Sequence, residues 1–132
     1  MGDQLAASAQ WASTVAVADD KPVLPDYAGA CNANIVDVLI NDPENAPDWF
    51  PPGLEDVDQI VFLVLDGLGW EQMVARQHLL RGFTKMQAAP ITTVAPTTTA
   101  TALTSITTGL PPGEHGVIGY RMSVDSEILN VL

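Results

Sequence analysis

The amino-acid sequence predicts an α/β fold built on a partial parallel or mixed sheet with flanking helices. Two runs, 59–66 and 89–96, have the apolar and β-branched composition of strands. Each is followed by a segment with helical periodicity, 70–83 and 98–109. The final run, 127–132, has the composition of a further strand. Strands that alternate with helices along a chain are typical of parallel sheets.

The N-terminal segment differs in composition from the rest of the chain. Residues 1–20 are rich in Ala and Ser, which predicts a loose tail or a weak helix, and residues 21–27 contain two prolines, which favours an extended arm. We therefore predict a flexible arm over residues 1–28 and a folded domain over residues 29–132.

The first elements of that domain follow from periodicity and turn chemistry. Apolar residues between Ile35 and Ile40 predict a short helix over about 31–40. Residues 42–53 contain four prolines and a glycine, a composition typical of turns. The run 59–66 is continuously apolar from Ile60 to Leu65 and ends in an aspartate, which predicts a strand buried on both faces.

The next segment, 70–83, is amphipathic and is predicted to be a helix ending near Gly82, with one side formed by Met73, Val74, Gln77 and Leu80.

The second strand and its helix are bounded by proline and glycine. Pro96 is predicted to close the strand 89–96. The helix 98–109 carries apolar residues at core spacing and ends at Gly109; they are Ala100, Leu103, Ile106 and Leu110. Residues 110–120 are predicted to be a loop.

Composition and charge exclude several classes of function. The chain has 132 residues, 16 acidic and 5 basic, and a net charge of −11, which argues against binding to nucleic-acid duplexes. An acidic protein that handles phosphates needs metal ions to reverse the local field. The sequence has a single cysteine, no basic N-terminal region and no long apolar run, so we predict a cytoplasmic protein without a membrane span.

Asp66 is the first candidate site residue. It follows the predicted strand, and ligand sites of open parallel sheets gather at the carboxyl ends of the strands. A carboxylate at the end of a dry strand is costly unless a cation meets it. Alternatively, Asp66 caps the helix that starts near Trp70, or it hydrogen-bonds within the turn.

Thr99 is the second candidate. It lies where a helix begins after Pro96, and the free N–H groups of a helix N-terminus favour anions. A metal ion can activate a hydroxyl there as a nucleophile. Alternatively, one of Thr97, Thr98 and Thr99 is simply the N-cap of the helix.

Together the two motifs resemble a known family. The segments "FLVLDGLGW" and "PTTTATALTSITTGLPPGEHGVIGY" are similar to the type I phosphodiesterase/nucleotide pyrophosphatase branch of the alkaline phosphatase superfamily. The shared features are a strand followed by Asp-Gly, Pro-Thr-x-Thr, Thr-Gly and Pro-x-x-His-Gly, over about residues 58–121. The resemblance implies that residues 29–132 are the N-terminal part of an alkaline-phosphatase-like catalytic domain.

The resemblance also implies roles for individual residues. Asp66 would bind one of two zinc ions, and Thr99 would touch that zinc and attack phosphorus to give a phospho-threonine intermediate. Tyr120 stands where the family places a phosphate-binding asparagine, so it is predicted to contact the substrate. We interpret His115 as a turn histidine that hydrogen-bonds to backbone, in preference to a metal ligand.

The implied substrates are small phosphodiesters or nucleotides. The family takes its other metal ligands from later segments, so we expect this chain to be a fragment that binds zinc weakly and hydrolyses little. Two alternatives stay open: a non-catalytic α/β module that binds an anion at the helix after Pro96, and another phosphatase or phosphomutase of the same superfamily.

Overall fold

The computed structural model of the protein describes residues 22–83 and 86–131. The described chain forms two compact units, one from Val61–Pro90 together with Pro22, and one from Val23–Ile60 and the segment that starts at Ile91. The tail or weak helix predicted for residues 1–20 lies outside the described residues.

The larger unit begins with a turn and a short helix. A 3-10 turn, Asn32–Asn34, leads into helix α1, Ile35–Asn41, which confirms the helix predicted over 31–40. Two further 3-10 turns, Pro43–Asn45 and Leu54–Asp56, lie in and just after the proline-rich segment that was predicted to form turns.

The small core of this unit forms between α1's leading turn and the second predicted strand. Cys31, Ala33 and Val94 are buried together, and Ala102 packs against them. Cys31 pairs with Thr92 in an isolated parallel bridge. The strand predicted over 89–96 is therefore corrected. Among the described residues of that run, Thr92 alone pairs as a strand residue with another segment, through its bridge to Cys31.

Helix α2 belongs to the smaller unit and spans Trp70–Ala75, which is shorter than the predicted 70–83. Beyond Arg76 the backbone continues in turns with i→i+3 bonds, such as Leu79 N–H to the Arg76 carbonyl at 2.8 Å. The predicted apolar side is nevertheless confirmed, since its members are half-buried while most of their neighbours are exposed; they are Met73, Val74, Gln77 and Leu80.

Helix α3 spans Thr99–Thr108, in agreement with the prediction of a helix over 98–109. Ala100 and Ile106 are buried as expected, whereas Leu103 is half-buried and Leu110 is exposed. The helix instead buries two polar residues completely, Thr101 and Ser105. Their burial is tolerated because each hydroxyl has a hydrogen-bonding partner.

Two left-handed glycines shape the chain after α3. Gly109 ends the helix at a φ of 70°, and its N–H donates to the Ser105 carbonyl. A short helix, α4, then spans Pro112–His115 and ends at Gly116 with a φ of 75°. The prediction of a loop over 110–120 is corrected at this point: Pro112 occupies the first turn, where its missing N–H costs nothing.

The C-terminal residues form a hairpin. Strand β1, Arg121–Val124, pairs antiparallel with β2, Glu127–Asn130, with Val124 opposite Glu127. Asp125 and Ser126 both have positive φ, as a two-residue type I′ turn requires. The strand predicted in the run 127–132 is confirmed over Glu127–Asn130, but its pairing is antiparallel within a hairpin and not part of a parallel sheet.

The buried strand predicted at 59–66 is also corrected. Residues 60–65 have no strand hydrogen bonding in the structure and all are exposed, with Val61 at 92%. A strand needs at least one neighbouring strand to pair with, and the described residues pair only as the Cys31–Thr92 bridge and the β1–β2 hairpin. The described chain is thus a set of helices with a small antiparallel sheet.

Within the described residues, each helix is too short or too polar to cross a bilayer.

Replacing Gly109 with alanine is expected to lower the free energy of unfolding by about 1–2 kcal/mol, because a Cβ is strained at positive φ. Space is not the cause, since the added Cβ would meet only Asp37 at an ordinary 3.7 Å. Urea unfolding followed by circular dichroism measures the change. The matched control is Gly113→Ala in α4, where the surroundings are open and alanine favours the helix. Equal midpoints for the two variants would contradict the prediction.

Candidate functional site

Asp66 lies in a tight turn that follows the exposed apolar run. The Leu68 N–H donates to the Leu65 carbonyl at 3.1 Å, which closes a four-residue turn around Asp66 and Gly67. Gly67 has a φ of 81°, the value that a type II turn requires at its third residue. The glycine is needed for this backbone conformation, and nothing lies within 4 Å of the place where a Cβ would stand.

The helix that follows Asp66 is capped by another residue. The N-cap of α2 is Gly69, whose carbonyl accepts from the Met73 N–H at 3.0 Å and which has no side chain with which to cap the helix. The N-cap position of α2 is thus occupied by Gly69, and a hydrogen bond from Asp66 to the turn or to the start of the helix stays a prediction. Asp66 is an exposed residue of the turn.

Thr99 is the first residue of α3, and Thr98 is the N-cap. Thr98 fills that role with its backbone, since its carbonyl accepts from the Ala102 N–H at 2.8 Å and its own side chain makes no cap bond. The Thr98 hydroxyl pairs instead with the hydroxyl of the buried Thr101 at 2.8 Å. The N-cap alternative thus applies to Thr98, and the exposed Thr99 is not the cap.

His115 connects α4 to α3 through a side-chain hydrogen bond. Its Nε2 lies 2.8 Å from the Oγ of Ser105, which is completely buried. Its Nδ1 accepts from the Val117 N–H at 3.0 Å. Because a neutral imidazole carries one N–H, the acceptor at Nδ1 places the proton on Nε2, which donates to Ser105. His115 is a turn histidine that hydrogen-bonds to backbone, as predicted.

Tyr120 stands just before the hairpin, and its side chain is 53% exposed. Its carbonyl accepts from the Val131 N–H at 2.9 Å, which fixes its backbone at the base of the hairpin. The guanidinium carbon of Arg121 lies 6.0 Å from the centre of its ring, at the limit of a cation–π contact. A phenol hydroxyl so placed can donate a hydrogen bond to a ligand.

The candidate residues are distributed over both units. Thr99, His115 and Tyr120 belong to the larger unit, whereas Asp66 belongs to the smaller one. The sharing of one cation by Asp66 and Thr99 stays a prediction.

The described residues do not complete a zinc centre. Asp66 and Thr99 offer oxygen donors of kinds that zinc accepts, but zinc takes about four ligands. Among residues 22–83 and 86–131, no three His, Cys, Asp or Glu side chains gather as a metal site. No reaction step is therefore assigned to zinc.

The sequence did not indicate two buried hydroxyl residues of α3, Thr101 and Ser105. Thr101 pairs with Thr98, and Ser105 pairs with His115. Both are hydroxyl residues in a threonine-rich tract, and nothing in their spacing distinguishes them from exposed neighbours such as Thr107. Only the fold shows that they are the inward hydroxyls.

A family model that describes type I phosphodiesterases and nucleotide pyrophosphatases matches residues 60–128, more than half of the 132-residue chain. The chain belongs to this family. No curated protein and no solved structure matches it.

The type I phosphodiesterase/nucleotide pyrophosphatase match includes both motifs, since it contains Asp66, Thr99, His115 and Tyr120. It agrees with the extent predicted from the sequence, about 58–121. Membership of this family indicates phosphoester hydrolysis, with phosphodiesters or nucleotides as the implied small-molecule substrates.

Proposed function

We propose that this member of the type I phosphodiesterase/nucleotide pyrophosphatase family hydrolyses phosphodiester or pyrophosphate bonds with Thr99 as its nucleophile. The observation that carries the proposal is the position of Thr99 inside the matched segment, at the first residue of α3. Thr98 occupies the N-cap position, so Thr99 stands at the N-terminal end of the helix, where the free backbone N–H groups lie. The alkaline-phosphatase-like fold that the family implies is part of the same proposal.

The proposed reaction has two displacements at phosphorus. The Thr99 Oγ bonds to phosphorus and loses its proton, while the bond to the leaving alcohol or nucleotide breaks and that oxygen takes up a proton. Water then attacks the phospho-threonine: its oxygen bonds to phosphorus, the bond between phosphorus and the Thr99 Oγ breaks, and a proton from the water restores the Thr99 hydroxyl. Splitting one difficult step into two easier ones is the usual benefit of a covalent intermediate.

The start of α3 suits the binding of the transferred phosphoryl group. The peptide dipoles of its ten residues place partial positive charge at the end that carries Thr99. The protein carries a net charge of −11, so a local positive field is needed to hold an anionic substrate. Tyr120 is proposed to donate a hydrogen bond to a phosphoryl oxygen.

We further propose Asp66 as a ligand of one of two zinc ions, as the family resemblance implies. Calorimetric titration of zinc into this 132-residue chain is expected to show weak binding, because two oxygen donors leave about half of a zinc coordination sphere unfilled. Asp66→Asn serves as the control and is expected to weaken that binding further. A dissociation constant of about 1 nM would show that the count of ligands is wrong.

The experiment that tests the proposed function is hydrolysis of bis(p-nitrophenyl) phosphate by the complete protein with and without Thr99. It also separates catalysis from the alternative of a non-catalytic module that binds an anion at the start of α3. A module of that kind would bind inorganic phosphate and release no p-nitrophenol.

A further inference from the structure

The residues that lead to Thr99 are held by a segment distant in sequence, residues 26–34, which we name the anchor segment. The Thr92 N–H donates to the Ala30 carbonyl at 2.8 Å, and the Asn32 N–H donates to the Thr92 carbonyl at 3.0 Å. Hydrogen bonds at both the N–H and the carbonyl of one residue fix the direction of the chain there. The anchor segment therefore determines where the chain sets out toward Thr99.

Tyr27 extends this hold by three residues. The Ala95 N–H donates to the Tyr27 hydroxyl at 3.1 Å. The next residue, Pro96, has no N–H. Ala95 thus carries the last backbone donor before Thr97, and the Tyr27 hydroxyl holds it.

Tyr27 is itself held in place. Its carbonyl accepts from Asn34 Nδ2 at 3.1 Å, and the N–H of the preceding Asp26 donates to Thr92 Oγ1 at 2.9 Å. The Asp26 carboxylate accepts from the Ala30 N–H at 3.0 Å, which closes the turn that presents the ring. The hydroxyl is therefore brought to Ala95 by a fixed backbone.

We propose that Tyr27 is a positioning residue for Thr99. By holding Ala95, its hydroxyl sets the path of Pro96–Thr98 and hence the place of the Thr99 oxygen at the start of α3. This inference rests on the proposed function of Thr99. Tyr27 lies outside residues 60–128, so the contact adds a residue that the family match does not include. Small displacements of a nucleophile lower rates strongly, because attack requires near contact and alignment.

The test compares Tyr27→Phe, Asn32→Ala and Thr99→Ala in the complete protein. Tyr27→Phe keeps the ring and removes the acceptor, and kcat for bis(p-nitrophenyl) phosphate is expected to fall about threefold to tenfold with KM within about twofold. Asn32→Ala is the matched control. Asn32 Nδ2 donates to Thr93 Oγ1 at 3.1 Å, so this variant also loses one hydrogen bond of the anchor segment, but it leaves the bond at Ala95 intact. Its kcat is expected to stay within about twofold of the wild type.

Amide hydrogen exchange gives a second readout that is independent of activity. The exchange rate at Ala95 is expected to rise about fivefold in Tyr27→Phe and to stay unchanged in Asn32→Ala.

The possible results separate this inference from the proposed function. If Thr99→Ala abolishes hydrolysis while Tyr27→Phe keeps the kcat of the wild type, positioning by Tyr27 is overturned and the proposed function stands. Equal losses of kcat in Tyr27→Phe and Asn32→Ala also overturn it, since general loosening would explain both. If Thr99→Ala hydrolyses as fast as the wild type, the proposed function fails and the positioning role fails with it.

Discussion

Replacing Thr99 with alanine is expected to lower kcat/KM for bis(p-nitrophenyl) phosphate by about a thousandfold or more, because the attacking oxygen is lost. The fold should survive. Thr99 is exposed at the first residue of α3, and alanine is the best helix former. Circular dichroism and the urea midpoint of the variant check this point beside the kinetic assay.

Two control variants refine the Thr99 experiment. Thr99→Ser keeps a hydroxyl and is expected to retain measurable hydrolysis. Thr98→Ala removes the neighbouring hydroxyl, which pairs with Thr101 at 2.8 Å, and is expected to affect stability more than kcat. Full activity in Thr99→Ala would show that the residue begins a helix and does nothing more. If Thr98→Ala loses activity while Thr99→Ala retains it, the nucleophile is Thr98 and not Thr99.

Replacing His115 with alanine is expected to lower the free energy of unfolding by about 2–4 kcal/mol, the second large effect. The variant loses the bond from Nε2 to Ser105 and the bond from the Val117 N–H to Nδ1. It also leaves the Ser105 hydroxyl buried without its donor. Urea unfolding measures the change, provided that the transition is two-state.

Two further substitutions each keep one of the two hydrogen bonds of His115, so they separate the contribution of each bond to stability. In His115→Asn the new amide oxygen can accept from the Val117 N–H, whereas in His115→Gln the new amide nitrogen can donate to Ser105. Each variant is therefore expected to lose roughly half as much stability as the alanine variant. A double-mutant cycle with Ser105→Ala is expected to show a coupling energy of about 1 kcal/mol. A coupling near zero would mean that Ser105 and His115 do not interact in solution.

The sequence predicted the helix α3 to within a residue because its limits depend on local stereochemistry. Pro96 ends the preceding segment, and Gly109 adopts the left-handed conformation that stops the helix. The half-buried side of 70–83 was predicted for a similar reason, since periodicity is a local signal. The half-buried side extends to Leu80 even though the helix ends at Ala75.

The strands were predicted less well because pairing is not local. The run 59–66 has the composition of a buried strand, but composition does not supply a neighbour. The hairpin was missed because Asp125-Ser126 is a weaker turn signal than Asp-Gly, even though both residues adopt positive φ. Antiparallel pairing then followed from proximity along the chain.

The candidate site also contains residues that a local motif indicates and residues that only the fold brings together. The motifs predict roles for Thr99 and Asp66 that stay predictions, and they correctly indicated that His115 is a turn histidine bonded to backbone. Ser105 and Tyr27 were not identified, because each acts on a residue that only the fold brings near, His115 in one case and Ala95 in the other.

The exposed apolar run before Asp66 affects the tendency of the protein to self-associate. Ile60–Leu65 is an uncharged stretch of strong β-formers with no proline, and such a stretch is prone to intermolecular stacking when it is open to solvent. Asp58 and Asp66 flank it with negative charge and act as gatekeepers against self-association. A variant that neutralises Asp66 therefore removes a guard against precipitation as well as a proposed metal ligand, and its kinetics are meaningful only for material that light scattering shows to be monodisperse.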